Sequence, residues 1–404
     1  MSSPRTIMLT WEMGGGHGHL VRLGRIGKAL IKAGHRLVFV SRDVAAARAQ
    51  LPEAICLQAP FHLVPAPPYP KAANLAEIMD NIGLGQTDSI AELTASWLTL
   101  VERTGADAVA MDFSPGALLA LQALPMRRVL IDNGYSHPTH TPTLPSLRPW
   151  ESSYTDFHDR IELRVLAAVN ASLKQRGLPP LAHLSELFLR VDAIHLMTIP
   201  ELDHTGPKTQ VHYRGYLDHG GQTPVWPRRY PNAPRLLIML KSFRGLVPLL
   251  AALSTLELDL VIAVTGLDAD SQAALADKEN LSFHEGWLDL RAAARQADLV
   301  LCAGGDAVGI VLLQGTPVCV LPFFDEQRLT AERAAASGAA LALPAGAPPE
   351  AVVAAIQQML AKPSYAQRAA KLAGRYRGLD QAAELAAIVG SLVGSEVGGR
   401  RSEV

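Results

Sequence analysis

The sequence predicts an α/β protein built from two doubly wound domains that face each other across a cleft. The chain has 404 residues, more than one hydrophobic core normally supports. Short apolar runs alternate with amphipathic runs in both halves, which is typical of parallel sheets covered by helices. A polar stretch rich in proline and glycine, at about 203–233, separates the two alternating halves.

The first half begins with the apolar run TIMLTW, which predicts a strand. The next run, HLVRLGRIGKALIKAG, has apolar side chains at helical spacing, and Gly34 stands where a helix commonly ends. Three more strands are predicted at HRLVFVS, DAVAMDF and MRRVLID, with a helix near 87–104. The stretch 134–150 has four prolines and no periodicity, which is typical of a lid or a binding loop. Helices near 157–176 and 180–191 and a strand at DAIHLMTI complete this half.

The second half repeats the alternation. Strands are predicted at PRLLIMLK, LDLVIAV, LSFHE, ADLVLC, TPVCVLP and AALALP, with helices between them and at about 347–394. The pattern predicts a first domain at 1–215, a linker at 216–233 and a second domain at 234–375. We expect a C-terminal helix at 376–395 that packs back on the first domain, and a frayed tail at 396–404.

Composition excludes several classes of protein. The formal net charge is -1, so no whole-chain field attracts nucleic acid. No uncharged apolar run is long enough to predict a transmembrane helix, although basic side chains on the first helix (Arg22, Arg25 and Lys28) leave peripheral membrane contact open. The three cysteines lie in apolar contexts without a CxxC pair, which favours reduced thiols and a cytoplasmic protein. The sequence is compatible with both a monomer and a homodimer.

The stretch WEMGGGHGHL, residues 11–20, has two interpretations. A dinucleotide-binding loop would need a third glycine where Val21 or His19 stands, although Asp43 could contact a ribose. Alternatively, the glycines make room for a substrate, and a histidine at the start of the helix acts as a general base. A histidine that only caps or packs against the loop is the structural alternative.

The run GHLVRLGRIGKALIKAGHRLVFV resembles the opening of the inverting GT-B glycosyltransferases, including the plant and bacterial natural-product and macrolide enzymes. In that family a Gly-His follows the first strand and a second, here Gly34-His35, opens the next strand sixteen residues later. His19 matches the family's catalytic base and Gly18 precedes it, whereas His17 does not match. The family usually has proline three residues after the base. This chain has Arg22, which we interpret as a change of shape and not of chemistry.

The resemblance also implies a partner for the base. A carboxylate fixes the tautomer of a histidine base and stabilises the imidazolium that forms. The run AVAMDFSPGALLAL places Asp112 at the carboxyl end of a strand, where the family has its dyad aspartate. An ordinary helix N-cap is the alternative role for Asp112.

The run from ADLVLC to AALAL resembles the family's donor-binding signature over some forty-five residues. Glycines that open a helix let backbone N–H groups hold a diphosphate without a metal. From this resemblance, and from the departures described next, we predict donor contacts by Gly18, Lys241, Ser242, Trp287, Leu288, Cys302, Gly304, Gly305, Asp306, Ala307, Glu326 and Gln327. For Trp287 a place in the core, and for Glu326-Gln327 a solvated helix start, are the alternatives.

The donor signature departs from the family in two places. Cys302 or Ala303 replaces a histidine that touches the diphosphate, and Ala307 or Val308 replaces a hydroxyl residue. We expect Lys241, alone or with Arg244, to supply the lost phosphate contact, since these residues follow the first strand of the second domain.

The resemblance implies a hexosyltransferase that uses a UDP or dTDP sugar as co-substrate, inverts the anomeric carbon and needs no metal or other cofactor. The first domain would bind a small-molecule or lipid-like acceptor through His17, Tyr135, His137 and Trp150, and the second would bind the donor. A non-catalytic nucleotide-sugar-binding protein and an epimerase or hydrolase are the alternatives. The Asp268-Ala269-Asp270 run is predicted to cap a helix, not to bind a metal.

Overall fold

A computed structural model describes residues 3–14, 16–61, 67–151, 156–217 and 220–394, without the side chain of His17. The predicted tail at 396–404 lies outside these residues. The chain divides into two compact units, one comprising Met1–Leu217 with Asp380–Val404 and the other Asp218–Leu379. Each unit contains one parallel sheet, as the alternation of apolar and amphipathic runs predicts.

The sheet of the first unit has seven parallel strands in the order β3-β2-β1-β4-β5-β6-β7. Its central strands are apolar because helices cover both faces, and every residue of the first and fourth strands is buried. The strands are β1 (Thr6–Trp11), β2 (Arg36–Ser41), β3 (Ile55–Gln58), β4 (Ala108–Met111), β5 (Arg127–Asp132), β6 (Ala193–Leu196) and β7 (His212–Tyr213).

Six α-helices of the first unit precede the second unit in the chain. They are α1 (His17–Lys32), α2 (Val44–Gln50), α3 (Leu75–Asn81), α4 (Thr87–Thr104), α5 (Pro115–Ala120) and α6 (Asp156–Gln175). Helix α1 buries Leu20, Leu23, Ile26 and Leu30, the periodic residues that predict it. Just beyond it, Gly34 has a φ of 89°, a conformation that favours glycine.

Two predictions for the first unit are wrong in detail. The segment near 180–191 forms a 3-10 helix at Leu184–Leu189 instead of an α-helix, after two prolines that cannot donate backbone hydrogen bonds. Strands β3 and β7 were not predicted. Both are short edge strands, and neither contains a fully buried residue, so the apolar pattern that marks the central strands is missing.

The sheet of the second unit has six parallel strands in the order β10-β9-β8-β11-β12-β13. They are β8 (Arg235–Met239), β9 (Asp259–Ile262), β10 (Leu281–Phe283), β11 (Leu299–Cys302), β12 (Val318–Val320) and β13 (Ala340–Ala342). The helices are α7 (Leu246–Leu253), α8 (Ala269–Ala273), α9 (Leu290–Gln296), α10 (Asp306–Leu312), α11 (Asp325–Ala336), α12 (Pro349–Ala361) and α13 (Ser364–Arg375). This strand order is that of a doubly wound nucleotide-binding sheet.

The last helix, α14 (Gln381–Val393), belongs to the first unit. Its side chains Ile388 and Leu392 are fully buried in that unit's core. Polar contacts fix it as well: the Ser391 Oγ lies 2.9 Å from the His195 Nε2, and Arg127 donates to the Ser391 carbonyl over 3.1 Å. The core of the first unit therefore includes a helix from the last described part of the chain.

Candidate functional site

Three acidic residues lie at the carboxyl ends of strands at one edge of the first sheet. Glu12 and Asp112 directly follow β1 and β4, and Asp132 is the last residue of β5. The strand order reverses between β1 and β4, and ligands of doubly wound sheets bind beside the carboxyl ends of strands at such a point. The sheet topology therefore marks this edge as the candidate site of the first unit.

His19, Asp112 and Arg22 form one hydrogen-bonded cluster at this edge. The His19 Nδ1 lies 2.7 Å from one carboxylate oxygen of Asp112, and the Arg22 Nη1 donates to the other over 2.8 Å. The side chain of Asp112 is fully buried, that of Arg22 is 3% exposed and that of His19 is 16% exposed. The helix N-cap alternative for Asp112 is wrong, because Ser114 occupies the N-cap position of α5.

The carboxyl group of Asp112 is ionised at neutral pH. Burial by itself raises its pKa, but the charges of Arg22 and His19 outweigh that effect and hold the pKa below its ordinary value. An ionised Asp112 accepts a hydrogen bond from the protonated Nδ1 of His19, which leaves Nε2 as the basic nitrogen of the ring. The cluster can therefore orient His19 as a base.

Our interpretation of Arg22 as a change of shape alone is wrong. Its guanidinium forms a buried ion pair with Asp112, so the residue that replaces the family's proline alters the electrostatics of the dyad. This role could not be predicted from the sequence, because the apolar pattern of α1 does not indicate which strand end its buried face contacts. The only available signal was an arginine three residues after the histidine, close to the apolar helix face.

Two aromatic side chains border His19. Its ring stacks on that of Trp11, with centroids 5.4 Å apart and planes at 17°, and lies 6.2 Å from the ring of Phe113. Phe113 has a φ of 43°, a strained conformation for a bulky residue and one that recurs at functional sites. The His19 ring is therefore bordered by aromatic side chains from the carboxyl ends of β1 and β4.

Glu12 was not predicted as part of the site. Its buried carboxylate accepts hydrogen bonds from the backbone N–H groups of Gly116, at 2.5 Å, and Ala117, at 3.0 Å. Burial raises the pKa of Glu12 to about 7, although these two hydrogen bonds act in the opposite direction. The carboxyl group therefore titrates near neutral pH.

This titration predicts a stability that falls as the pH rises. The pKa of Glu12 increases from 4.5 to about 7 on folding. The stability that its protonated carboxyl group contributes is therefore complete below pH 4.5, decreases as the pH rises, and is lost once the pH passes 7. We expect the free energy of unfolding of the wild type, relative to Glu12→Gln, to fall by on the order of 3 kcal/mol over this range. Urea unfolding of both proteins at several pH values measures it. A difference that does not change with pH would contradict the assignment.

A pocket with a cavity volume of about 20 Å³ lies next to this cluster, within the first unit. Phe113, whose ring borders His19, forms part of its wall, and most of the other lining residues are apolar. Asp132, Ser136 and His137 supply the polar part of the lining with Ser114. The cavity has room for about one water molecule, so a larger ligand would have to displace lining side chains. Its mix of apolar and polar groups is that of small-molecule sites.

Of the predicted acceptor residues whose side chains are described, only His137 lines this pocket. His137 lines the pocket and is 1% exposed. Tyr135 does not line it but packs edge-on against Phe113, with ring centroids 6.2 Å apart. Trp150 is half-buried and also outside the lining. His17 begins α1, and its side chain lies outside the described part of the chain.

In the second unit, the strand order reverses between β8 and β11. Met239 pairs with Cys302 in the register of these strands, so Lys241 and Gly304 both lie two residues beyond the paired strand ends. Ser242 follows Lys241, and both are exposed. The structure therefore brings the glycine turn and the predicted replacement cation to the same edge of the sheet.

The glycine turn has backbone conformations that require glycine. Gly304 and Gly305 have φ values of 133° and 67°, and Asp306 and Ala307 open helix α10 directly after them. A side chain on Gly304 would lie 2.8 Å from the Cβ of Gln327, so α11 packs directly over the turn. Burial raises the pKa of the Cys302 thiol to about 12, which keeps it neutral.

The remaining donor candidates lie on loops and at helix starts of this unit. The side chain of Trp287 is 60% exposed, so the core alternative for it is wrong, whereas Leu288 is buried. Glu326 and Gln327 are half-buried in the first turn of α11, and the Gln327 Oε1 accepts a hydrogen bond from the Phe323 N–H. Gly18 belongs to the first unit, where it lies in the first turn of α1.

The Asp268-Ala269-Asp270 run begins a helix. The Asp268 carboxylate accepts from the Ser271 N–H over 2.7 Å and caps α8. Among the described residues, no group of three or more His, Cys, Asp or Glu side chains has an arrangement that could hold a metal ion. Within the same part of the chain, every helix is too short or too polar to cross a membrane.

Comparison with solved structures identifies the fold. The calicheamicin glycosyltransferase CalG4 is 16% identical, with a TM-score of 0.69 over 98% of this chain and 100% of its own. The spinosyn rhamnosyltransferase SpnG, complexed with thymidine diphosphate, is 20% identical, with a TM-score of 0.62 over 95% of this chain and 98% of its own. The glycosyltransferase VinC, in complex with DTDP, is 18% identical, with a TM-score of 0.60 over 95% and 99%.

No protein-family model and no curated protein matches the sequence. At these levels of identity the structural likeness establishes the fold alone, and it confirms the predicted α/β architecture of two Rossmann-like domains. The resemblance that the sequence motifs indicated is thus confirmed at the level of structure. The chain has the GT-B fold of the macrolide-type glycosyltransferases.

Proposed function

We propose that this protein transfers a sugar from a nucleoside diphosphate sugar to an acceptor hydroxyl, with inversion and without a metal. The observation that carries the proposal is the 2.7 Å hydrogen bond between His19 and the buried Asp112, beside an apolar pocket. An oriented imidazole next to a mostly apolar pocket suits general-base catalysis. The absence of any disulfide among the three cysteines fits the predicted cytoplasmic location.

In the proposed reaction, the Nε2 of His19 removes the proton from the acceptor hydroxyl. The oxygen attacks the anomeric carbon from the face opposite the diphosphate, and the bond from that carbon to the diphosphate oxygen breaks. The nucleoside diphosphate leaves, and His19 later releases its proton to water. Asp112 stabilises the imidazolium while it exists, as in other histidine–carboxylate pairs.

The second unit is proposed to bind the donor. The N–H groups of the turn at Gly304 and Gly305 would hold the diphosphate together with Lys241, and Glu326 and Gln327 would bind the sugar hydroxyls. The exposed ring of Trp287 would stack near the nucleotide base. SpnG and VinC bind thymidine diphosphate, which supports a dTDP or UDP donor.

Lys241 should matter for donor affinity. A charge-assisted hydrogen bond contributes about 1.5–3 kcal/mol, so Lys241→Ala is expected to raise the donor dissociation constant about 10- to 150-fold. Calorimetric titration with dTDP and UDP measures this constant. Lys278→Ala, which removes another partly exposed lysine of the same unit, serves as the control. Equal affinity in the wild type and Lys241→Ala would remove Lys241 from the donor site.

The acceptor is proposed to be a small molecule or a lipid-like molecule. The apolar lining of the pocket in the first unit supports this class, and SpnG has been solved with the spinosyn aglycone, a molecule of this kind. Nucleic acid is not an expected partner, because the formal net charge is only -1.

One experiment tests the proposed function against its alternatives. The pure protein is incubated with several nucleotide sugars and a chelator, with and without a panel of phenolic and aliphatic acceptors, and the products are analysed by mass spectrometry. Acceptor-dependent sugar transfer supports the proposal. Nucleotide release without an acceptor indicates a hydrolase, an isomerised donor an epimerase, and binding without turnover a non-catalytic protein; any of these three as the sole outcome contradicts the proposal.

A further inference from the structure

His137 is buried without a polar partner. Its side chain is 1% exposed, and neither ring nitrogen makes a hydrogen bond with any described residue. The contacts of its ring are with other rings, those of His140 at 5.9 Å and Phe188 at 6.0 Å between centroids. Buried polar groups normally have a partner, so an orphaned imidazole needs an explanation.

The imidazole of His137 is neutral. Burial lowers its pKa well below the ordinary value, and the positive charges of Lys208 and His140 lower it further. Lys208 is itself held in a buried ion pair with Asp203, whose other oxygen accepts from the Tyr213 hydroxyl over 2.7 Å. A neutral ring offers one donor and one acceptor nitrogen, and neither has a partner within the described residues. Both nitrogens are buried, so a ligand in the pocket that His137 lines would reach them by displacing neighbouring side chains.

The surroundings of His137 restrict the kind of atom that could meet it. A charged group of a ligand would leave water for a mostly apolar pocket, near which Lys208 is already paired with Asp203 and Asp132 already accepts from Ser136. Either charge would lose its hydration, and the polar groups nearby already have partners. A neutral oxygen avoids both costs, and it can accept from or donate to the ring.

We propose that His137 determines acceptor specificity by hydrogen-bonding a neutral carbonyl or hydroxyl oxygen that an otherwise apolar acceptor carries, apart from the hydroxyl that receives the sugar. This inference rests on the proposed function, because it takes the pocket beside His19 to be the acceptor pocket. The remaining lining side chains, such as Leu75, Met79 and Leu118, would contact the apolar body of the molecule.

Two probes of nearly equal size test the proposal. The compounds 7-hydroxycoumarin and 2-naphthol are both fused bicyclic phenols, and only the first has a carbonyl oxygen at the end opposite its hydroxyl. We expect the wild type to bind 7-hydroxycoumarin about tenfold more tightly, the effect of one net hydrogen bond. Calorimetry without donor, at a pH where both phenols are neutral, measures the ratio of the two dissociation constants.

Variants test whether the ring of His137 causes this ratio of dissociation constants. His137→Leu is expected to bring the ratio close to one, whereas His137→Gln, which keeps a donor and an acceptor, is expected to restore part of it. His140→Leu removes the neighbouring histidine, which does not line the pocket, and should keep the ratio. Because the ring has no partner within the protein, His137→Leu should also leave the midpoint of thermal unfolding unchanged or higher.

Several results would overturn the proposal: a wild-type ratio near one, no binding of either probe, an unchanged ratio in His137→Leu, or a lower unfolding midpoint in that variant. None of these measurements involves sugar transfer. A protein that shows the expected ratios but transfers no sugar would therefore contradict the proposed function alone, and a protein that transfers sugar without them would contradict this inference alone.

Discussion

Replacement of His19 by alanine is expected to lower kcat for sugar transfer about a hundred- to ten-thousand-fold, the usual contribution of a positioned general base. The reason is that no other described side chain in the cluster can take the proton: Asp112 is fully buried and bound to Arg22. Because His19 acts on the acceptor in the transition state, the donor dissociation constant should change little. Steady-state kinetics and donor titration, with the substrate pair found in the screen, measure both quantities.

A matched control separates this effect from a general loss of structure. His183→Ala removes a half-buried histidine of the same unit that neither lines the pocket nor contacts Asp112. We expect its kcat to stay near that of the wild type. If His19→Ala and His183→Ala had the same kcat, His19 would not be the base.

The second large effect concerns the buried charges of Asp112 and Arg22. Asp112→Leu leaves the Arg22 guanidinium, 3% exposed, without its carboxylate, and removal of one partner of a buried pair costs about 3–5 kcal/mol of folding free energy. The double variant Arg22→Leu/Asp112→Leu removes both charges and should recover most of that loss. The urea midpoint of each protein, followed by tryptophan fluorescence, measures the coupling.

Arg22→Leu alone completes this double-mutant cycle. It should retain the bond between His19 and Asp112, and therefore a base, although the carboxylate loses a charge that lowers its pKa. Additive losses of stability, with the double variant the least stable of the three, would show that the two side chains do not interact.

The sequence allowed the fold to be predicted where burial leaves a simple pattern. The fully apolar strand β1 and the periodic helix α1 are such cases, because a parallel sheet buries both of its faces. Strands β3 and β7 could not be predicted in this way, since they lie toward the sheet edges and contain residues that are at least partly exposed. Pro179 and Pro180 precede Leu184–Leu189, which forms a 3-10 helix where an α-helix was predicted.

The candidate site was predictable where a residue follows a strand. His19 and Asp112 were identified from a family resemblance and from their position after β1 and β4, and the structure places them 2.7 Å apart. Glu12 also follows a strand, but nothing in the sequence indicates that two backbone N–H groups of α5 meet its carboxylate. The partners of Arg22 and the isolation of His137 depend equally on tertiary packing, which local sequence patterns do not contain.

The anomeric configuration of the product tests the central claim most directly. The claim is that an acceptor oxygen, deprotonated by His19, displaces the diphosphate in one step. A donor of known configuration is converted by the wild-type protein, and the coupling constant of the anomeric proton in the product is measured by NMR. The one-step displacement predicts the inverted configuration at the anomeric carbon. A product that retains the donor's configuration would contradict it.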